Sequence, residues 1–132
     1  MTIQFLDAEQ TRAALPMGDA IDAMRSAFGP DSEIPHRVLL GSSLFMPGRV
    51  GDLTGMKVVS VVPGSPQGMV AVFGPDGAVV GIVDGPTLTA IRTGAAAGLA
   101  TDLLAPADAS RLAMLGAGAM AFDQIESITT VR

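Results

Sequence analysis

The hydrophobic period of this chain changes twice, and those two changes set what it can fold into. Met17, Ile21, Met24 and Phe28 are spaced 4, 3 and 4 apart, the stripe of an amphipathic helix. Pro16 stands where such a helix opens and Gly29-Pro30 where it closes. From Arg37 to Val83 the texture becomes short β-branched and bulky apolar runs bounded by Gly and Pro: "RVLLG", "SLFMPG", "MKVVSVVPG" and "GMVAVFGPDGAVVGIVDG". The last of these predicts a hairpin, Met69 to Phe73 and Ala78 to Val83, around Gly74-Pro75-Asp76-Gly77. Proline presets φ there and glycine admits positive φ. From Pro86 to Ala105 the period returns to helical, with a stripe of Leu88, Ile91, Ala95, Leu99 and Leu103. The expected fold class is therefore α/β. An antiparallel or mixed sheet lies between Arg37 and Val83, and the long helix packs on it and leads into a last strand, Leu112 to Leu115. A shorter helix is expected in "FLDAEQTRAAL", where Asp7 and Gln10 have the spacing of a capping box.

Composition removes several function classes. Hydrophobic residues are 48% of 132 and charged residues 16%, which supports a core and argues against disorder. No apolar run reaches the ~18 residues of a membrane span. "MTIQFLDAEQTR" has no basic region leading into an apolar one, so no secretory signal is expected. There is no cysteine, which excludes disulfides and thiolate metal ligands and fits a cytoplasmic location. A net charge of −5 without a basic cluster argues against nucleic acid or an anionic membrane as partner. His36 is the single histidine and has no carboxylates at ligand spacing, so no metal site is expected. Ser42, Ser43, Ser60 and Ser65 lack the surroundings of a nucleophile elbow.

Four features could carry chemistry. Lys57 interrupts an apolar strand and shares a face with Val59 and Val61; it either snorkels at a sheet edge or is held for a purpose. Arg92 adjoins a run of small residues, Gly94 to Gly98, which marks either a tight helix–sheet contact or a place where a ligand or another backbone comes close. Arg37 opens a strand after Pro35-His36. Three cations from three elements could converge on a carboxylate, held bidentately by a guanidinium and by an ammonium point charge, or could be ordinary surface residues. Finally, "LAMLGAGAMA" places Gly116, Gly118 and Ala121 as G-x-G-x-x-A after an apolar run. In a dinucleotide fold these make the tight turn, the approach to the pyrophosphate and the helix packing. The helix expected next is a poor candidate, because Ile125, Ile128, Thr129, Thr130 and Val131 are β-branched.

In order and spacing, the K-V-V-S-V-x-P-G block, the D-G-x-x-L-T-A-x-R-T-x-A-A block and the G-A-G block resemble the ornithine cyclodeaminase/mu-crystallin family. The resemblance runs from about Phe5 to the end. It implies a substrate-binding and dimerisation domain over 1–108, followed over 109–132 by the first β-turn-α of a Rossmann domain for NAD or NADP. It implies an enzyme that deaminates, cyclises or reduces a small amino or imino acid, acting as a homodimer. The alternative is a ligand-binding or remnant protein of the mu-crystallin type with little turnover. By resemblance Lys57 is the catalytic lysine, Arg37, Lys57 and Arg92 bind the substrate carboxylate, and Gly116, Ala117, Gly118, Ala119, Met120 and Ala121 bind the cofactor. Met69 stands where the family often has threonine, Ser65 where it often has asparagine, and Met120 where it often has glutamine. The family's catalytic aspartate and the remaining Rossmann strands find no counterpart here, so the resemblance implies the N-terminal portion of a longer enzyme. Alone, the chain is expected to bind NAD(P) weakly or not at all and to lack turnover. Residues 116–132 are then expected to be mobile, or held only by docking on the first domain or a partner.

Overall fold

The first helix is fixed by its own start. In the computed structural model, which describes residues 3–64 and 67–132, strand β1 (Phe5–Leu6) leads into helix α1 (Ala8–Ala14) through Asp7. The Asp7 carboxylate accepts from the Gln10 N–H at 2.9 Å, and the Gln10 side chain accepts from the Asp7 N–H at 3.1 Å. Two backbone donors that the helix leaves orphaned are thereby satisfied. Helix α2 (Met17–Ala27) follows and buries Met17, Ala20 and Ile21, with Met24 packed beside them. Phe28, the last member of the expected stripe, falls past the helix end and is 68% exposed.

The strands are β2 (Ser32–Glu33), β3 (Val38–Leu40), β4 (Ser43–Val50), β5 (Leu53–Ser60), β6 (Gly68–Phe73) and β7 (Val79–Asp84). They form one mixed sheet in the order β1-β7-β6-β5-β4-β2, with β3 also paired to β4. Only the β1–β7 pairing is parallel among the described strands. The expected hairpin is β6–β7. Its turn closes where Gly77 N–H donates to the Gly74 carbonyl at 3.0 Å and the Asp76 carboxylate accepts from Ala78 N–H at 3.0 Å. Ser65 lies outside the described residues.

Helix α3 (Gly85–Leu104) starts with no intervening loop. Asp84 caps it, its carboxylate accepting from Thr87 N–H at 2.8 Å. The helix turns back over the sheet at once, and a Cβ at Gly85 would sit 2.6 Å from the Gly68 carbonyl carbon. Ile91, Ala95 and Leu99 complete the core with the α2 residues, whereas Leu103 is exposed. Helices α1, α2 and α4 (Ala121–Val131) all pack around α3.

One expectation needs correction. Residues 112–115 form no strand. A strand exists by lateral pairing, and no strand among the described residues lies beside this segment, so Leu115 stays 94% exposed. Of the readings left open for the small-residue run, the close approach of another backbone is the one observed, in a helix–helix contact. A Cβ at Gly94 would lie 2.6 Å from the Asp123 carbonyl carbon, and one at Gly98 would lie 2.9 Å from the Ser127 Cβ. Helix α4 forms despite its β-branched content because tertiary packing outweighs propensity. Of the two alternatives for residues 116–132, docking on the preceding part of the chain is the one observed for α4. Arg12 Nη1 donates to the buried Asp123 carboxylate at 2.7 Å. At the other end Arg132 Nη2 donates to the carbonyls of Thr101, Asp102 and Ala105 at 2.9, 3.1 and 3.0 Å, which satisfies the last carbonyls of α3.

Candidate functional site

Lys57 sits in the middle of β5, between Met46 of β4 and Val70 of β6. It is on an interior strand, so it does not snorkel at an edge. Side chains alternate across a strand, which places Met46, Gly48, Gly55, Lys57, Val70 and Val72 on one face. This face looks toward α3, because Lys57 Nζ donates to Thr89 Oγ1 at 2.5 Å and Thr89 Oγ1 donates to the Gly85 carbonyl at 2.6 Å.

An open cavity of about 500 Å³ lies on this face. Met46, Val50, Leu53, Val70 and Val72 give it apolar walls, Ile34 and Pro35 close one side, and Lys57 and Arg92 are the charged residues of its lining. The Lys57 ammonium is held below its ordinary pKa of 10.5, first because it is half-buried and then because the Arg92 charge opposes a second cation. Two cations, apolar walls and no lining carboxylate among the described residues are chemistry that could hold a small anion.

The structure thus brings two of the three expected cations to one cavity. Arg37 is exposed in the irregular stretch that precedes β3 and is not among the cavity's lining residues, although Ile34 and Pro35 of that stretch are. His36 is exposed in the same stretch. Met69 points to the face opposite Lys57, so the wall contributed by β6 is set by Val70 and Val72. Thr89 was not singled out from the sequence. Its placement three residues before Arg92 on one helix was the available sign, since i and i+3 share a face.

The second set of expected residues surrounds the start of α4. Gly116 has φ +94°, a conformation that L side chains rarely adopt. Ala121 N–H donates to the Gly118 carbonyl at 2.9 Å, and α4 begins there with no side-chain cap from Met120. A concavity of about 370 Å³ is lined by Met114, Leu115, Gly116, Gly118, Ala119, Met120, Ala121 and Gln124; Ala117 is not in that lining. The glycine turn and the positive end of the helix have the chemistry that a phosphate would need. Asp123, also in the first turn, is turned inward onto Arg12, which offsets its charge. The residues present fit the pyrophosphate part of a dinucleotide. Among the described residues no cluster of three or more His, Asp or Glu could hold a metal, and no helix is long and apolar enough to cross a membrane.

Known proteins share this fold. The alanine dehydrogenase of Archaeoglobus fulgidus is 29% identical over 99% of this chain and 46% of its own length. An archaeal alanine dehydrogenase dimer solved with bound NAD superposes with a TM-score of 0.90 at 24% identity, covering 100% of this chain and 46% of that one, a likeness of fold. The Δ1-pyrroline-2-carboxylate reductase of Thermococcus litoralis, solved with NADH and L-proline, gives 0.84 at 27% identity over 98% of this chain and 46% of that one. The chain spans about half the length of these relatives. The family profile described as "Ornithine cyclodeaminase/mu-crystallin family" matches residues 29–132, which include Lys57, Arg92 and the glycine turn, and the chain belongs to that family.

Proposed function

We propose that this chain supplies the substrate site and the first pyrophosphate contacts of an NAD(P)-dependent enzyme acting on a small amino or imino acid, by deamination, cyclisation or imine reduction. The observation that carries this reading is the shared cavity of Lys57 and Arg92, reached from β5 and α3. Arg92 holds the substrate carboxylate with its planar fork, and Lys57 adds a compact charge and a proton at Nζ. Apolar walls keep water from the rest of the substrate and strengthen both interactions. Arg37, two residues beyond the cavity-lining Pro35, is the third cation assigned to that carboxylate.

Residues 1–108 are the substrate and dimerisation domain in this reading, and 109–132 open the nucleotide domain. Backbone N–H groups between Gly116 and Ala121 would hold NAD or NADP by its pyrophosphate. When bound, the nicotinamide supplies hydride acceptance or delivery. The protein's own part is to fix the carboxylate, orient the reacting carbon and hold a proton at Lys57.

The test is calorimetric titration of the chain with L-alanine and with L-proline, each a single carboxylate on a small frame. Binding of either, weakened at least tenfold in Arg92→Ala and in Lys57→Ala, supports the reading. No binding of either probe, or binding unaffected by both substitutions, overturns it.

A further inference from the structure

We propose that Thr89 is the positioning residue for Lys57: its hydroxyl anchors one N–H of the ammonium and leaves the other two directed at the cavity. This deepens the reading above and rests on it for its functional meaning.

A threonine hydroxyl has one proton and two lone pairs. The Thr89 proton is committed to the Gly85 carbonyl at 2.6 Å, so toward Lys57 the oxygen can only accept. The 2.5 Å contact therefore has one direction, Nζ to Oγ1. The bond to Gly85 also fixes the Thr89 rotamer, since a β-branched side chain has few to choose from. Thr89 stands on the helix whose next turn buries Ile91 and Ala95 in the core at 1% and 0% exposure. The acceptor is thus part of a rigid element.

The chain Gly85–Thr89–Lys57 answers a specific need. A lysine stem has four carbons and many rotamers. The cross-strand neighbours of Lys57, Met46 and Val70, offer no side-chain oxygen, and the other charged residue of the cavity lining, Arg92, repels it. The Thr89 hydroxyl is the side-chain acceptor that holds Nζ near Arg92 against that repulsion. Thr89 and Arg92 are three residues apart on α3, so one helix carries both the guanidinium and the group that aims the ammonium. The spacing of the two cations is then a property of α3.

Lys57 is the single lysine of the sequence, which makes its titration directly readable. The full 132-residue chain is acylated with acetic anhydride across a pH series, and the Lys57 peptide is quantified by mass spectrometry. No ligand is needed. Thr89→Val and Thr89→Ala delete the hydroxyl, the second without adding bulk near Gly85, and Thr89→Ser keeps it. Both deletions are expected to shift the labelling midpoint to lower pH, because the hydroxyl favours the charged form; Thr89→Ser is expected to keep it. L-proline binding is expected to fall about tenfold in the deletions and to recover in Thr89→Ser, the loss of one hydrogen bond to a charged group. An unchanged labelling profile in folded Thr89→Val and Thr89→Ala overturns the proposal. A shifted profile in a chain whose wild type binds neither amino acid upholds the Thr89–Lys57 coupling and overturns the functional reading instead.

Discussion

A lysine in an interior strand is costly unless its stem packs on apolar surface and its charge finds a partner. Lys57 has Met46 and Val70 along its stem and Thr89 at its tip, yet its pKa is still depressed, by burial first and by Arg92 second. The sign of the consequence follows. Between the depressed folded value and 10.5 the unfolded chain holds more protons, so Lys57 makes stability rise with pH across that window. Below the window its cost is fully present. A bound carboxylate reverses the preference, since it pairs with the ammonium. Carboxylate affinity is therefore expected to fall as pH rises through the depressed pKa, and binding above it is expected to take up a proton. Calorimetry in two buffers of different ionisation heat at one alkaline pH reads this uptake; equal apparent heats would contradict it. At this scale the sequence was legible where a residue broke its local pattern. Lys57 did so, as a charge in an apolar run. Thr89 did not, because a threonine bonding the carbonyl four residues back is ordinary helix behaviour, and only the fold brings β5 beneath it.

Elements were legible where they carry their own periodicity and caps. The capping box of α1, the β6–β7 hairpin and the span of α3 all came from local chemistry. What failed was non-local. Residues 112–115 have a strand's composition but, among the described residues, no strand with which to pair, whereas α4 has a mediocre helix composition and a well-fitted neighbour. The fit depends on Gly94 and Gly98, which let the α4 backbone approach at Asp123 and Ser127. Gly94→Ala is expected to destabilise the chain by about 1–3 kcal/mol, the ordinary range for overpacking, because its methyl meets backbone that cannot rotate away. Gly18→Ala, where a Cβ has nothing within 4 Å, is the control and should not destabilise. Arg12→Ala removes the partner of an Asp123 side chain that is 2% exposed, while Arg12 itself is 45% exposed. Its cost should lie between that of a surface pair and that of a buried one, roughly 2 kcal/mol. Urea denaturation of the three variants measures all of these, and a Gly94→Ala midpoint equal to wild type would refute the crossing as a tight contact.

The whole molecule has its helices gathered in one layer around α3, on the Lys57 side of the sheet. The register puts Phe45, Met56, Val58, Met69, Ala71, Phe73 and Ile82 on the other side, with Met69 46% exposed. An apolar sheet face of this extent needs a cover, and a second copy of the chain would supply one of matching chemistry. A homodimer is therefore expected by light scattering at tens of micromolar, and Met69→Asp, directly opposite Val58 on that face, is expected to yield monomer. At the glycine turn the expectation is weak binding. Gly116 to Ala121 offers a positive-φ turn at the N-terminus of α4, the kind of place a pyrophosphate would take. Affinity for a whole dinucleotide comes also from an acidic residue on the ribose, an adenine pocket and a nicotinamide side, which later strands of such a sheet provide. The single acid in the first turn, Asp123, is buried against Arg12 and faces away from that role. Residues 111–120 are exposed throughout, so little of a bound cofactor's surface would be covered here. The 132-residue chain by itself should thus bind NADH no more tightly than about millimolar, the level of a few phosphate contacts without burial, and should show no turnover with L-alanine. Fluorescence titration with NADH decides the first point and absorbance at the reduced nicotinamide band the second. Micromolar affinity would mean that Gly116–Ala121 and its surroundings form a complete site, and that the expectation drawn from their exposure is wrong.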